Sequence, residues 1–84
     1  METTITILLF ASLRERLQIQ RLQLEWTQGS LAELRTAMAS RGANWSDFAD
    51  SSRVRAAVNQ VMATEATPVR PGDEVAFFPP VTGG

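Results

Sequence analysis

The chain has 84 residues, 44% of them hydrophobic, a formal net charge of −1, and neither cysteine nor histidine. That is a single domain near the lower limit of what one core stabilises, without disulfides and without the soft ligands of a zinc or copper site. Near-balanced charge argues against the basic face that nucleic-acid binding needs, and all eight basic residues are arginines, so no side chain offers a primary amine to an isopeptide bond.

Thr3 to Phe10 is β-branched and apolar and predicts a strand, with Ile5, Ile7 and Leu9 on one face and Thr4, Thr6, Leu8 and Phe10 on the other. Met1 to Thr4 carries no positive n-region, Ile7 to Ala11 is too short for a signal h-region, and no segment reaches the ~20 apolar residues of a membrane span. The expected location is cytoplasmic. Leu13 to Leu17 predicts a short helical turn. Arg21 to Trp26 alternates, with Leu22, Leu24 and Trp26 inward, and predicts a half-buried strand ended by Gln28-Gly29. Ser30-Leu31-Ala32-Glu33 spells a capping box. Leu31, Leu34 and Met38 follow on one helical face, and Gly42 suits the position after the helix, which is placed at 30–41.

Trp45 and Phe48, three apart, pin a short helix to the core within 43–52. Arg53 to Asn59 alternates again with Val54, Ala56 and Val58 inward, and Asn59-Gln60 turns the chain. Pro71-Gly72-Asp73 is a turn signal. Glu74 to Phe78 is the last strand, with Val75 and Phe77 inward, and Pro79-Pro80 ends it. One main helix crossing one face of a small mixed sheet is an α+β, β-grasp arrangement. A ferredoxin-like fold stays open on pattern alone, although it wants two full helices. The expected core joins Leu31, Leu34 and Met38 to Ile5, Ile7, Leu22, Leu24, Val54, Val58, Val75 and Phe77.

Without His, Cys, Lys or Tyr, most general acids, bases and nucleophiles are missing. Asp47 and Asp50 read as solvated carboxylates, Asp73-Glu74 as turn chemistry, and Ser51-Ser52 lacks a base. Gly29, Gly42 and Gly72 each sit at an element end. Gly83-Gly84 does not, and a frayed terminus is its plain reading. Its context argues otherwise. Phe78-Pro79-Pro80-Val81-Thr82 is extended and stiffened toward polyproline II, and from Pro79 the tail reaches roughly 20 Å to Gly84. Two residues without side chains pass through a narrow channel and deliver a carboxylate.

The ending Asp73-Glu74-Val75-Ala76-Phe77-Phe78-Pro79-Pro80-Val81-Thr82-Gly83-Gly84 resembles that of the molybdopterin synthase small subunits, which are ubiquitin-like sulfur carriers. Ala56-Ala57-Val58-Asn59-Gln60 and Leu9-Phe10-Ala11-Ser12-Leu13-Arg14-Glu15 resemble the same family, so the likeness spans the chain. It implies one ubiquitin-like domain over 1–84, with 79–84 an extended tail. An adenylating partner activates the Gly84 carboxylate with ATP, and a sulfur donor converts it to a thiocarboxylate (a 1-thioglycine). The tail, with Gly83 beside the reacting group, then delivers sulfur to a cyclic pterin precursor inside the large subunit of a heterotetramer. The chain itself binds no cofactor, and the catalytic side chains belong to its partners. The family comparison places a partner-binding surface on Phe10, Met62 and Phe78, with Pro79, Pro80, Val81 and Thr82 leading into the partner. Phe10 and Phe78 are also out of phase with the inward residues of their strands. Three alternatives stay open: a sulfur carrier for thiamine or another pathway, a ubiquitin-like protein modifier, and an interaction module with an inert tail.

Overall fold

Residues 3–80 are described in the computed structural model of the chain. Strand β1 (Thr4–Leu9) buries Ile5, Ile7 and Leu9 and leaves Thr4, Thr6 and Leu8 half-buried, as its alternation predicts. Helix α1 (Ala11–Leu17) starts two residues earlier than the expected turn and buries Leu13. It closes on Gln18 in the left-handed region, whose N–H donates to the Arg14 carbonyl at 2.9 Å. Strand β2 (Arg21–Glu25) returns antiparallel to β1, with Ile7 opposite Leu22 and Ile5 opposite Leu24. Both leucines pack against the core but stay half-buried, because β2 is an edge strand.

The sequence reading missed a second, two-stranded sheet made of β3 (Gly29–Ser30) and, after the intervening elements, Pro68–Val69. Trp26 anchors it by donating Nε1–H to the Val69 carbonyl at 2.9 Å. The indole lies so close to Gly29 that a Cβ there would sit 2.9 Å from Cζ2, and Gly29 has φ +154, so only glycine fits.

Helix α2 (Leu31–Ala39) begins on the predicted capping box: the Glu33 amide donates to Ser30 Oγ, and the Ser30 amide to Glu33 Oε1. Leu31, Leu34 and Met38 are fully buried. The helix ends two residues before the expected 41. Ser40 is still right-handed, and Gly42, at φ 153, opens a 3-10 helix (Ala43–Ala49) instead of closing α2 in a left-handed cap. Within that 3-10 helix Phe48 enters the core and meets Phe77 edge-on at 5.1 Å.

Strand β4 (Arg55–Val58) is shorter than the expected 53–59, since Arg53 and Val54 belong to the preceding turn, yet Val54 is buried as predicted. A two-residue turn, Asn59-Gln60, leads to β5 (Val61–Met62). Both turn residues have positive φ, 51 and 69, the pattern of a tight hairpin turn that follows strand twist. Next comes β6, the Pro68–Val69 strand already described, and then β7 (Glu74–Phe78).

The main sheet runs β2-β1-β7-β4-β5, with β1 and β7 parallel at the centre and the other pairs antiparallel. α2 covers one face. This is the β-grasp arrangement, and the single full helix together with the parallel central pair sets aside the ferredoxin-like alternative. No helix among the described residues is long and apolar enough to cross a membrane.

Candidate functional site

β7 lies between β1 and β4 and directs the chain out of the sheet at Phe78. Because side chains alternate, its inward residues Val75 and Phe77 are fully buried, while Glu74, Ala76 and Phe78 face the side away from α2. The register extends that outer face across all five strands. Arg21 lies opposite Leu8, Leu8 opposite Ala76, Ala76 opposite Ala57, and Ala57 opposite Met62. One row along, Phe10 follows β1 beside Phe78, and its N–H donates to the Phe77 carbonyl at 3.2 Å. The two alanines form a low floor between larger apolar groups.

Phe10 is 45% exposed, Met62 57% and Val61 69%, and these are the exposed large hydrophobics among the described residues. Phe78, Pro79 and Pro80 are half-buried. The structure therefore brings Phe10 and Phe78 side by side at the root of the tail and puts Met62 on the same face two strands away, about 10 Å across the sheet. Val61, exposed as well, pairs with the inward Val58 and so lies on the opposite face from Met62, outside this surface. Val81, Thr82, Gly83 and Gly84 lie outside the described residues.

The turn behind this face is firmly held. The Asn59 amide donates to the Glu74 carbonyl at 2.7 Å, and Asn59 Oδ1 accepts from the Glu74 amide at 3.0 Å. Asn59 Nδ2 donates to Asp73 Oδ1 at 3.0 Å. One side chain thus fixes both the β4–β5 hairpin and the start of β7, which explains in physical terms why Val58-Asn59-Gln60 is a meaningful stretch of sequence.

The charged groups outside this face read as structure. Asp47 pairs with Arg16 at 3.3 Å and lies 4.0 Å from Arg53. Asp50 accepts from the Ser52 hydroxyl at 2.6 Å and the Ser52 amide at 2.9 Å, and these bonds hold its carboxyl below the usual carboxylate range. No group of three His, Cys, Asp or Glu residues able to hold a metal occurs among the described residues.

Arg35, which the sequence reading passed over, is buried at 4% exposure. Its Nη1 donates to the carbonyls of Phe48 at 3.2 Å and Val54 at 2.6 Å, and its Nε lies 2.9 Å from Glu65 Oε1. The signal was available: position 35 falls on the same helical stripe as 31, 34 and 38.

This geometry contains an outgoing strand end and an apolar rim, and among the described residues it lacks a constellation of acid, base and nucleophile. The comparisons fit such a carrier. Two relatives named molybdopterin synthase sulfur carrier subunit, from Haemophilus influenzae and Escherichia coli, are 35% and 38% identical over 80 residues, covering 95% of this chain and 99% of each relative. In fold, small archaeal modifier protein 1 of Haloferax volcanii superposes with a TM-score of 0.78 at 20% identity, over 94% of this chain and 99% of that one. A chain from the complex of subunits 1 and 2 of the molybdopterin-converting factor of Helicobacter pylori does so with a TM-score of 0.68 at 20% identity, over 96% and 99%. The family model that matches residues 7–84 is that of the ThiS family, and the chain belongs to it.

Proposed function

We propose that this chain is the small, sulfur-carrying subunit of a molybdopterin synthase. The observation that carries the reading is the exit of β7, a central strand rimmed by exposed Phe10 and Met62, directly into Pro79-Pro80 and on to Gly83-Gly84. The near full-length likeness to relatives named as sulfur carrier subunits of that synthase supports it.

The chemistry follows from the terminal group. A carboxylate is a poor electrophile, because oxide would have to leave. An adenylating enzyme attacks the ATP α-phosphorus with the Gly84 carboxylate, releasing pyrophosphate and leaving an acyl-adenylate. The terminal sulfur of a persulfide donor displaces AMP to give an acyl disulfide, and a thiol then attacks the donor's sulfur, forming a new disulfide and releasing the chain as a thiocarboxylate. The large subunit binds the outer sheet face through Phe10, Met62 and Phe78. It threads Pro79, Pro80, Val81 and Thr82 toward its own active site, and the sulfur attacks a carbon of a cyclic pterin precursor, where an oxygen substituent is expelled as the carbon–sulfur bond forms. Water then cleaves the acyl–sulfur bond, returning the carboxylate and leaving the sulfur on the pterin. Two deliveries build the dithiolene. This chain contributes positioning and the nucleophilic sulfur, and its partners contribute the acids, bases and ATP.

The test is mass spectrometry of the full chain incubated with the adenylating enzyme, ATP and a sulfur source, followed by addition of the large subunit and precursor. The expected result is the mass gain of one sulfur-for-oxygen exchange and then precursor conversion. Sulfur gain without any conversion moves the protein to another sulfur pathway, and attachment to target lysines instead of sulfur gain makes it a protein modifier.

A further inference from the structure

Beside the root of the tail the structure holds an open cleft of about 400 Å³, lined among others by Arg35, Ser51, Ser52, Arg55, Thr64 and Glu65. Two guanidinium groups face one carboxylate there, so the cleft carries an excess of one positive charge. Arg35 does not supply that excess, because Glu65 and the Phe48 and Val54 carbonyls already engage it. Arg55 does. It is exposed, and among the described residues it takes part in no ion pair and no side-chain hydrogen bond, a state it shares with Arg14, Arg21 and Arg70, which lie outside the cleft. Its place is also particular. Arg55 opens β4 and is the register partner of Phe78, the last residue of β7.

Resting on the functional reading above, we infer that this cleft receives an aspartate or glutamate side chain of the large subunit, held by Arg55. In open solvent a single guanidinium gains little from an anion. A partner seated on Phe78 also covers Arg55, its register neighbour on the same face, excludes water and strengthens the same pair. The planar fork of arginine suits a two-pronged carboxylate contact that lysine does not reproduce. The contact is continuous with the apolar face and lies beside the strand that becomes the tail, so it fixes the angle at which the tail leaves the domain. Arg55 is thus a positioning and specificity residue, and no chemical step passes through it.

The test is calorimetric titration of the full chain and its Arg55→Lys, Arg55→Gln and Arg55→Glu variants with the large subunit, at low and high salt, beside thermal melts. Because Arg55 is exposed, all variants should melt with the wild type. Binding should weaken at least about ten-fold in Arg55→Gln and further in Arg55→Glu, with Arg55→Lys between wild type and Gln. The salt dependence should shrink in Arg55→Gln. An alanine scan of the large subunit's acidic residues should find one whose loss costs the wild type but not Arg55→Gln. If Arg55→Gln and Arg55→Glu bind as the wild type does while Phe78→Ala does not, the carboxylate contact is wrong and the functional reading survives. If the wild type itself does not bind the large subunit, both fail together. Saturable binding of inorganic phosphate to the free chain, lost in Arg55→Gln, would overturn the inference by making the occupant a free anion.

Discussion

Replacing Arg35 with methionine removes the donors on which the Phe48 and Val54 carbonyls depend and leaves Glu65 without its cation. An unmet buried acceptor costs about 1–3 kcal/mol, so equilibrium denaturation should show at least a loss of that order. Glu65 adds little, because its side chain is 48% exposed. Leu34→Ala, at a fully buried position on the same helix, should cost about 2–5 kcal/mol, and a loss near zero would contradict the packing described. Asn59 combines two demands. Its φ of 51 suits asparagine or glycine, and its side chain bonds Glu74 and Asp73. Asn59→Gly keeps the backbone and loses the bonds, whereas Asn59→Val loses both. Urea melts should therefore rank wild type above glycine and glycine above valine, with the first step about 1 kcal/mol. Periodicity made Leu34 legible in the sequence. Arg35 shares that stripe, but its charge masked it, since the Phe48 and Val54 carbonyls that receive it come together only in the folded chain.

Elements were legible in proportion to their length. β1, β2, β7 and α2 each carry several periods of a pattern, and the capping box at Ser30 and Glu33 marked the start of α2 to within one residue. The β3–β6 pair escaped because two residues hold no period, and its cohesion comes from Trp26, whose bond to Val69 spans distant sequence. The segment after α2 was misjudged at Gly42 because a positive φ serves the start of a 3-10 helix as well as the end of an α-helix. The outer face was legible at Phe10 and Phe78 from phase alone. Met62 needed the family likeness, since β5 is so short. Large apolar groups there should anchor a partner, so Phe78→Ala should weaken large-subunit binding by on the order of 1–2 kcal/mol or more in calorimetry, with a far smaller change in melting temperature than Leu34→Ala. An unchanged affinity would remove this face from the interface.

At the scale of the molecule, fold and tail are separable. Among the described residues every core residue lies at or before Phe77, whereas the proposed chemistry lies at Gly84. A chain lacking Gly84 should melt with the wild type yet gain no sulfur, because its terminal carbonyl is withdrawn by about 3.3 Å from an attack that tolerates little displacement. Gly83→Val should behave alike, by crowding the channel and restricting the backbone. Paired thermal melts and intact-mass measurements check both, and a truncated chain that still becomes a thiocarboxylate would sink the functional assignment.

The parallel pairing of β1 with β7 has a kinetic meaning as well. Ile7 meets Val75 across nearly the whole length of the chain, and β7 stands between β1 and β4. Until β7 exists, the sheet is two hairpins without a shared strand, and Phe48 and Met38 lack the Phe77 wall of their core. Loop closure of this span precedes its reward, so folding should be slow for so small a domain and close to all-or-none. A chain ended before Glu74 should remain unfolded by circular dichroism. During synthesis, then, the strand that completes the domain is also the one that leads to the glycines. An activating enzyme that grips the folded face would engage only finished molecules, and topology would act as a proofreading step for which no residue is specifically responsible.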